Sequence, residues 1–145
     1  MAIRGEIMLF YKFKSNKQIN VNIRKYLIDW NSAPSKQQKV LQDFLYPFWH
    51  NKIICAEFRL PGSLFRIDLL NISDRLAIEF SPTSTHGEFN SYFHQNRSGF
   101  LKRIKVDIWK IEELERNNFR IIEINEEDLK WLSRSYFLKR FNVNL

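Results

Sequence analysis

The strongest constraint on the fold is a change of apolar period near residue 53. The runs IICAEFRL (53–60), LFRIDLL (64–70) and RLAIEF (75–80) read as strands, separated by the turn pair Pro61-Gly62 and by NISD at 71–74. Strands this short, joined by tight turns, pair side by side and antiparallel. In the second run Leu64, Arg66, Asp68 and Leu70 fall on one face and Phe65, Ile67 and Leu69 on the other. In the third, Ala77 and Glu79 face away from Leu76, Ile78 and Phe80.

Helical periodicity flanks this block. Ser35 is suited to an N-cap, and Val40, Leu41, Phe44, Leu45 and Phe48 recur at helical spacing, with Pro47 distorting the helix end. A long helix is expected over 99–116, with Phe100, Leu101, Ile104, Ile108, Ile111 and Leu114 as its buried stripe and Asn117-Asn118 as its stop. FRIIEIN (119–125) reads as a further strand. NEED (125–128) reads as a capped start to a last helix, docked by Trp131, Leu132, Tyr136 and Phe137. Near the N-terminus, Ile7–Tyr11 suits an edge strand or a first helical turn, and 20–30 a short helix. The expectation is one α/β domain over 1–145: a basic extension at 1–33, a core at 34–125 and a C-terminal helix at 126–145.

Composition narrows the function classes. Thirteen Phe, five Tyr and four Trp, against four Gly and four Pro, exclude a disordered or fibrous chain. Charges interrupt every apolar stretch, so neither a membrane span nor a secretory leader is expected. Cys55 is the single cysteine, which excludes an internal disulfide and a thiolate zinc site; between Ile54 and Ala56 it reads as a packing residue in a reducing compartment. The formal net charge of +7 favours polyanionic partners.

Against that basic background a few acids sit in costly places. Asp68 lies mid-strand between Ile67 and Leu69, where a carboxylate must find compensation. Pairing with Arg66 or Arg75 would supply it, and so would a divalent cation. Glu79 repeats the situation in the next strand, and Glu57 in the preceding one. Carboxylates on neighbouring strands suit Mg2+ or Mn2+, the hard cations used in phosphodiester hydrolysis. Asp107 falls on the inward stripe of the long helix, where it pairs with Lys110 or points at the carboxylates. His86 and His94 occupy the polar stretch 81–96 and suit general acid–base work beside such a metal, whereas His50 reads as an ordinary helix-end residue. Arg97, Lys102, Arg103 and Lys105 gather at the start of the long helix, against its dipole, and fit phosphate contacts.

The runs EFRLPGSLFRIDLLNISDRLAIEFSPTSTH and FNSYFHQNRSGFLKRIKVDIWKIEELERNNFRIIEIN resemble phage-type nucleases related to the very-short-patch-repair endonuclease, in the EDxHD branch of the PD-(D/E)XK superfamily that includes homing endonucleases. The resemblance spans residues 34–125. It implies a restriction-endonuclease-like mixed sheet with an antiparallel hairpin and flanking helices. It also implies a metal-dependent endonuclease acting on double-stranded DNA in a bacterial cytoplasm, with a two-fold dimer as one way to reach a duplex site. Asp68 resembles the central metal-binding aspartate, Glu79 the variable third acid, His86 the motif histidine with His94 as its rival, and Asp107 the final aspartate. Two positions depart from the pattern. Gln37, Gln38 or Gln42 stands where a glutamate is usual on the first helix, leaving Glu57 as its substitute or no equivalent at all. Ser81 stands where the superfamily lysine is usual.

Overall fold

The computed structural model describes residues 7–81 and 108–145. His86, His94, Arg97, Lys102, Arg103, Lys105 and Asp107 lie outside the described residues, as do 99–107 of the expected long helix.

A four-stranded mixed sheet forms the centre, in the order β3 (Ile54–Arg59), β4 (Arg66–Asn71), β5 (Leu76–Phe80), β6 (Arg120–Ile124). β3, β4 and β5 are antiparallel, as their turns require, and β6 runs parallel to β5. That parallel pairing needs a crossover, which includes the helical residues 108–116, here α2. α2 ends in a Schellman-type stop: Asn118 takes a left-handed φ of 67°, and the Phe119 and Asn118 amides bond back to the carbonyls of Leu114 and Glu115.

The sheet is covered on both faces. On one, α1 (Lys36–Trp49) and α3 (Arg134–Phe141) bury Leu41, Leu45, Trp49, Phe137 and Phe141 against Ile54, Leu69, Ile78, Ile122 and Ile124. Ser35 caps α1, accepting a hydrogen bond from the Gln38 amide at 3.1 Å, and the helix runs through Pro47 to Trp49. On the other face, Leu114 and Phe119 pack with Phe10, Ile23, Cys55, Phe58, Ile67 and Leu70. Phe10 belongs to a separate hairpin, β1 (Ile7–Tyr11) with β2 (Gln18–Asn22), so the N-terminal segment supplies core residues.

Several expectations are corrected. Residues 20–30 are no helix: β2 ends at Asn22 and a single 3-10 turn follows over Ile23–Tyr26. Ile108 and Ile111 are exposed at 49% and 39%, so of the described residues on the expected α2 stripe only Leu114 is buried. Val40 and Trp131 likewise face solvent. The acid-rich NEED segment leads into a 3-10 turn (Asp128–Trp131), and α3 starts instead at a cap made by Ser133. Asp128 turns inward there, taken up by tertiary partners rather than by a helix dipole.

Candidate functional site

The site grows from a fault in the sheet. Ala56 pairs with Leu69 and Phe58 with Ile67, which leaves Glu57 facing Asp68 with neither joining the ladder. Glu57 has φ = 51°, a left-handed conformation that costs a non-glycine residue about 1 kcal/mol or more. Alternation slips by one on both strands at this point. Cys55 and Phe58 pack on the α2 face although two residues lie between them, where regular alternation needs an odd number, and Leu69 joins the α1 face while Ile67 and Leu70 join the other. The regular alternation expected across 64–70 therefore fails at Asp68. That of β5 holds, with Leu76, Ile78 and Phe80 toward α1 and Ala77 opposite.

Side chains replace the missing ladder. The Phe80 amide donates to Asp68 Oδ2 at 2.7 Å, and the Asp68 amide donates to Glu79 Oε2 at 3.0 Å. Glu79 Oε1 accepts from Lys110 Nζ of α2 at 2.9 Å, and each side chain of that pair is 18% exposed. Glu57 is half-buried, and its Oε2 is buried without a hydrogen-bond partner among the described residues.

Asp68 raises the cost of ionisation at the carboxyls on either side of it. Burial pushes all three above the ordinary carboxylate range, and the negative charge of Asp68 adds to the rise at both Glu57 and Glu79. Lys110 opposes the rise at each of them, and at Glu57 the charge of Arg66 and a hydrogen bond from Gln38 oppose it more strongly. Gln38 and Gln42 are buried on α1 and bonded to each other at 3.2 Å. Of the three glutamines considered for the first-helix position, Gln38 is thus the one that meets the acids.

The structure therefore brings Glu57, Asp68 and Glu79 together. Arg75, considered as a partner of Asp68, instead reaches the Asn117 carbonyl and lies over the Phe119 ring. Lys110 entered the sequence reading only as a partner for Asp107, and its tie to Glu79 was missed because the intervening crossover hides the approach of α2 to β5. Ser81 continues the β5–β6 ladder, its amide donating to the Ile124 carbonyl at 2.7 Å. Cys55 is fully buried and its thiol is pushed up to about 12 by burial, as a packing residue should be. His50 caps the end of α1 with its ring against Tyr46.

Among the described residues, no group of three or more Asp, Glu, His or Cys is arranged to hold a metal ion. No helix among them is long and apolar enough to cross a membrane. No protein-family model, curated protein or solved structure matches the chain.

Proposed function

We propose that the chain is a divalent-metal-dependent DNA endonuclease on a PD-(D/E)XK-like core, related to the EDxHD branch. The observation that carries this reading is the break in the sheet at Glu57 and Asp68. Backbone strain, a lost stretch of ladder and two carboxyls each repelled by Asp68 are costs without a return among the described residues. A bound cation supplies that return.

The donors present fit a hard cation. Their oxygens are carboxylate, the ordinary Mg2+ and Mn2+ set, and the partnerless buried Oε2 of Glu57 is an acceptor still to be satisfied. Asp68 with Glu57 or Glu79 would hold the ion. Both oxygens of Glu79 are already engaged, which favours Glu57 as the partner of Asp68. A cation held there neutralises charge developing on a scissile phosphate and acidifies its bound water. The chain's own residues prepare the place: the Phe80 amide fixes the Asp68 carboxylate, and Lys110 fixes Glu79 and limits the negative charge of the cluster. His86, or its rival His94, would move the proton of the attacking water, with Asp107 orienting the imidazole. Arg97, Lys102, Arg103 and Lys105 would contact substrate phosphates, and a two-fold dimer would let a small chain reach both strands of a duplex site.

The closest rival is a non-catalytic DNA-binding protein on the same fold, favoured by the complete engagement of Glu79. Supercoiled plasmid incubated with Mg2+ separates the two. Nicking is expected, with at least about a hundredfold loss in Asp68→Ala, since cation stabilisation of the transition state is worth several kcal/mol. DNA binding without nicking, or nicking untouched by Asp68→Ala, overturns the enzyme reading. A parallel panel of RNA and branched DNA fixes the substrate class.

A further inference from the structure

Five cations near the acidic site stand outside any ion pair among the described residues, although Arg66 lies close enough to Glu57 for its charge to ease that carboxyl's ionisation. Arg59 and Arg66 are register partners on β3 and β4, so two exposed guanidinium groups stand directly opposite each other. Like charges in that relation destabilise a sheet. They are two residues from Glu57 and Asp68 respectively, at the end of the hairpin that carries both acids.

The tip of the β1–β2 hairpin adds three more. Its sequence KFKSNK places Lys12, Lys14 and Lys17 in six residues, all exposed. Lys14 occupies a left-handed position (φ 52°) that glycine or asparagine would fill at less cost. Among the described residues, none of these five side chains is in an ion pair.

The tip is clamped, not loose. The Phe13 amide donates to the Pro61 carbonyl at 2.8 Å, and a side chain added at Gly62 would come within 2.6 Å of Lys12 Cγ. Arg116 donates to the carbonyls of Lys12 and Ser15, and the Lys14 amide to Glu113 Oε1 at 3.3 Å. Phe13 packs on Phe65 and Trp109, with Lys14 Nζ 3.9 Å from the centre of the Trp109 ring. Trp109 immediately precedes Lys110, which holds Glu79. Both turns are therefore braced against the helix that reaches into the acidic site.

We infer that Lys12, Lys14, Lys17, Arg59 and Arg66 form a basic ridge that grips the sugar-phosphate backbone of duplex DNA and leads it to the acids. This rests on the nuclease reading above. A row of cations on a braced backbone suits a stiff, regularly charged polymer, because ordering is confined to the side chains on contact. An acidic peptide is the poorer fit, since its flexible chain must also be ordered on binding.

The test is binding of a short fluorescent duplex to the full chain in EDTA, followed from roughly 50 to 200 mM salt. The variants are Arg59→Gln/Arg66→Gln and Lys12→Gln/Lys14→Gln/Lys17→Gln. The slope of log affinity against log salt should shrink by about one for each phosphate contact removed, with affinity at least about tenfold lower in each variant. Unchanged slopes in both variants overturn the ridge, as does polyglutamate that competes as well as DNA at equal charge. Arg59→Gln alone should keep or raise the thermal midpoint, because it relieves cross-strand repulsion. A lowered midpoint would make the arginine structural and overturn its assignment. Plasmid nicking is scored separately: nicking with unchanged slopes removes only the ridge, and altered slopes without nicking remove only the nuclease reading.

Discussion

Asp128 and Asp68 are both withdrawn from solvent, and the chain treats them in opposite ways. Asp128 is 2% exposed, and its carboxylate is surrounded by donors. Oδ2 accepts from the Asn125 amide at 2.9 Å, and Oδ1 accepts from the Tyr136 hydroxyl and from Arg140 Nε at 3.1 Å. Asn125 returns the bond through its own side chain, accepting from the Asp128 amide. That network ties β6 to α3 and leaves no demand for an outside partner. Asp68 sits beside Glu57 and Glu79, and among the described residues only Glu79 has an ion-pair partner, Lys110, while Arg66 acts on Glu57 at longer range and one Glu57 oxygen has no hydrogen-bond partner. A buried acid with a structural task is saturated from within. On the reading proposed above, the acid cluster, short of positive charge among the described residues, would take up a cation.

The contrast is broken most severely at Asp128. Asp128→Ala strands Arg140 and the Tyr136 hydroxyl and frees the start of α3, at a cost of about 2–3 kcal/mol, discounted because Arg140 is half exposed. Chemical denaturation should show that loss. A change below about 0.5 kcal/mol would mean the network is decorative.

A smaller loss is expected in Lys110→Met, about 1–2 kcal/mol, since Glu79 then has no cation. The sign with pH follows from linkage. Glu79 already holds its proton more tightly folded than unfolded, and without Lys110 it holds it more tightly still. The variant's deficit should therefore grow as pH rises through the folded pKa and shrink toward the ordinary glutamate value of 4.5. Thermal midpoints across pH 4 to 8 check this; a deficit independent of pH contradicts it.

The smallest effect has the opposite sign. Asp68→Asn keeps an acceptor for the Phe80 amide and removes a buried charge, so in EDTA it should stabilise the fold by about 1 kcal/mol at neutral pH, or roughly 3 °C. Because burial raises the Asp68 pKa, the wild-type penalty is absent below the ordinary aspartate value of 3.8 and develops as pH rises through the folded pKa. The advantage of the asparagine should accordingly vanish in acid. An Asp68→Asn protein less stable than wild type at pH 7 would place Asp68 with Asp128, as a satisfied structural acid.

Much of this was legible in the sequence, and the misses are physical. The three antiparallel strands, the Ser35 cap and the Asn117-Asn118 stop follow from period and local chemistry. The proximity of Glu57, Asp68 and Glu79 followed from their mid-strand positions on successive strands. The slip at Glu57 was not legible, because nothing local marks a glutamate for left-handed φ; only tertiary packing imposes it. The Lys110 contact depends on a crossover, and the inward turn of Asp128 on Tyr136 and Arg140, which lie one and more helical turns further on. NEED looked like a cap because the same acids that suit a helix start also suit a buried hub.

The account stands or falls on whether the unsaturated acids take up a hard cation. A calorimetric titration of MgCl2 into the full chain at pH 7.5 tests this directly, with Glu57→Gln/Asp68→Asn as the comparison. Saturable binding in the wild-type chain, lost in the double variant while its fold is kept and its thermal midpoint is no lower, is the expected result. Identical heats from the two proteins, or no saturable binding in the wild type, would contradict it.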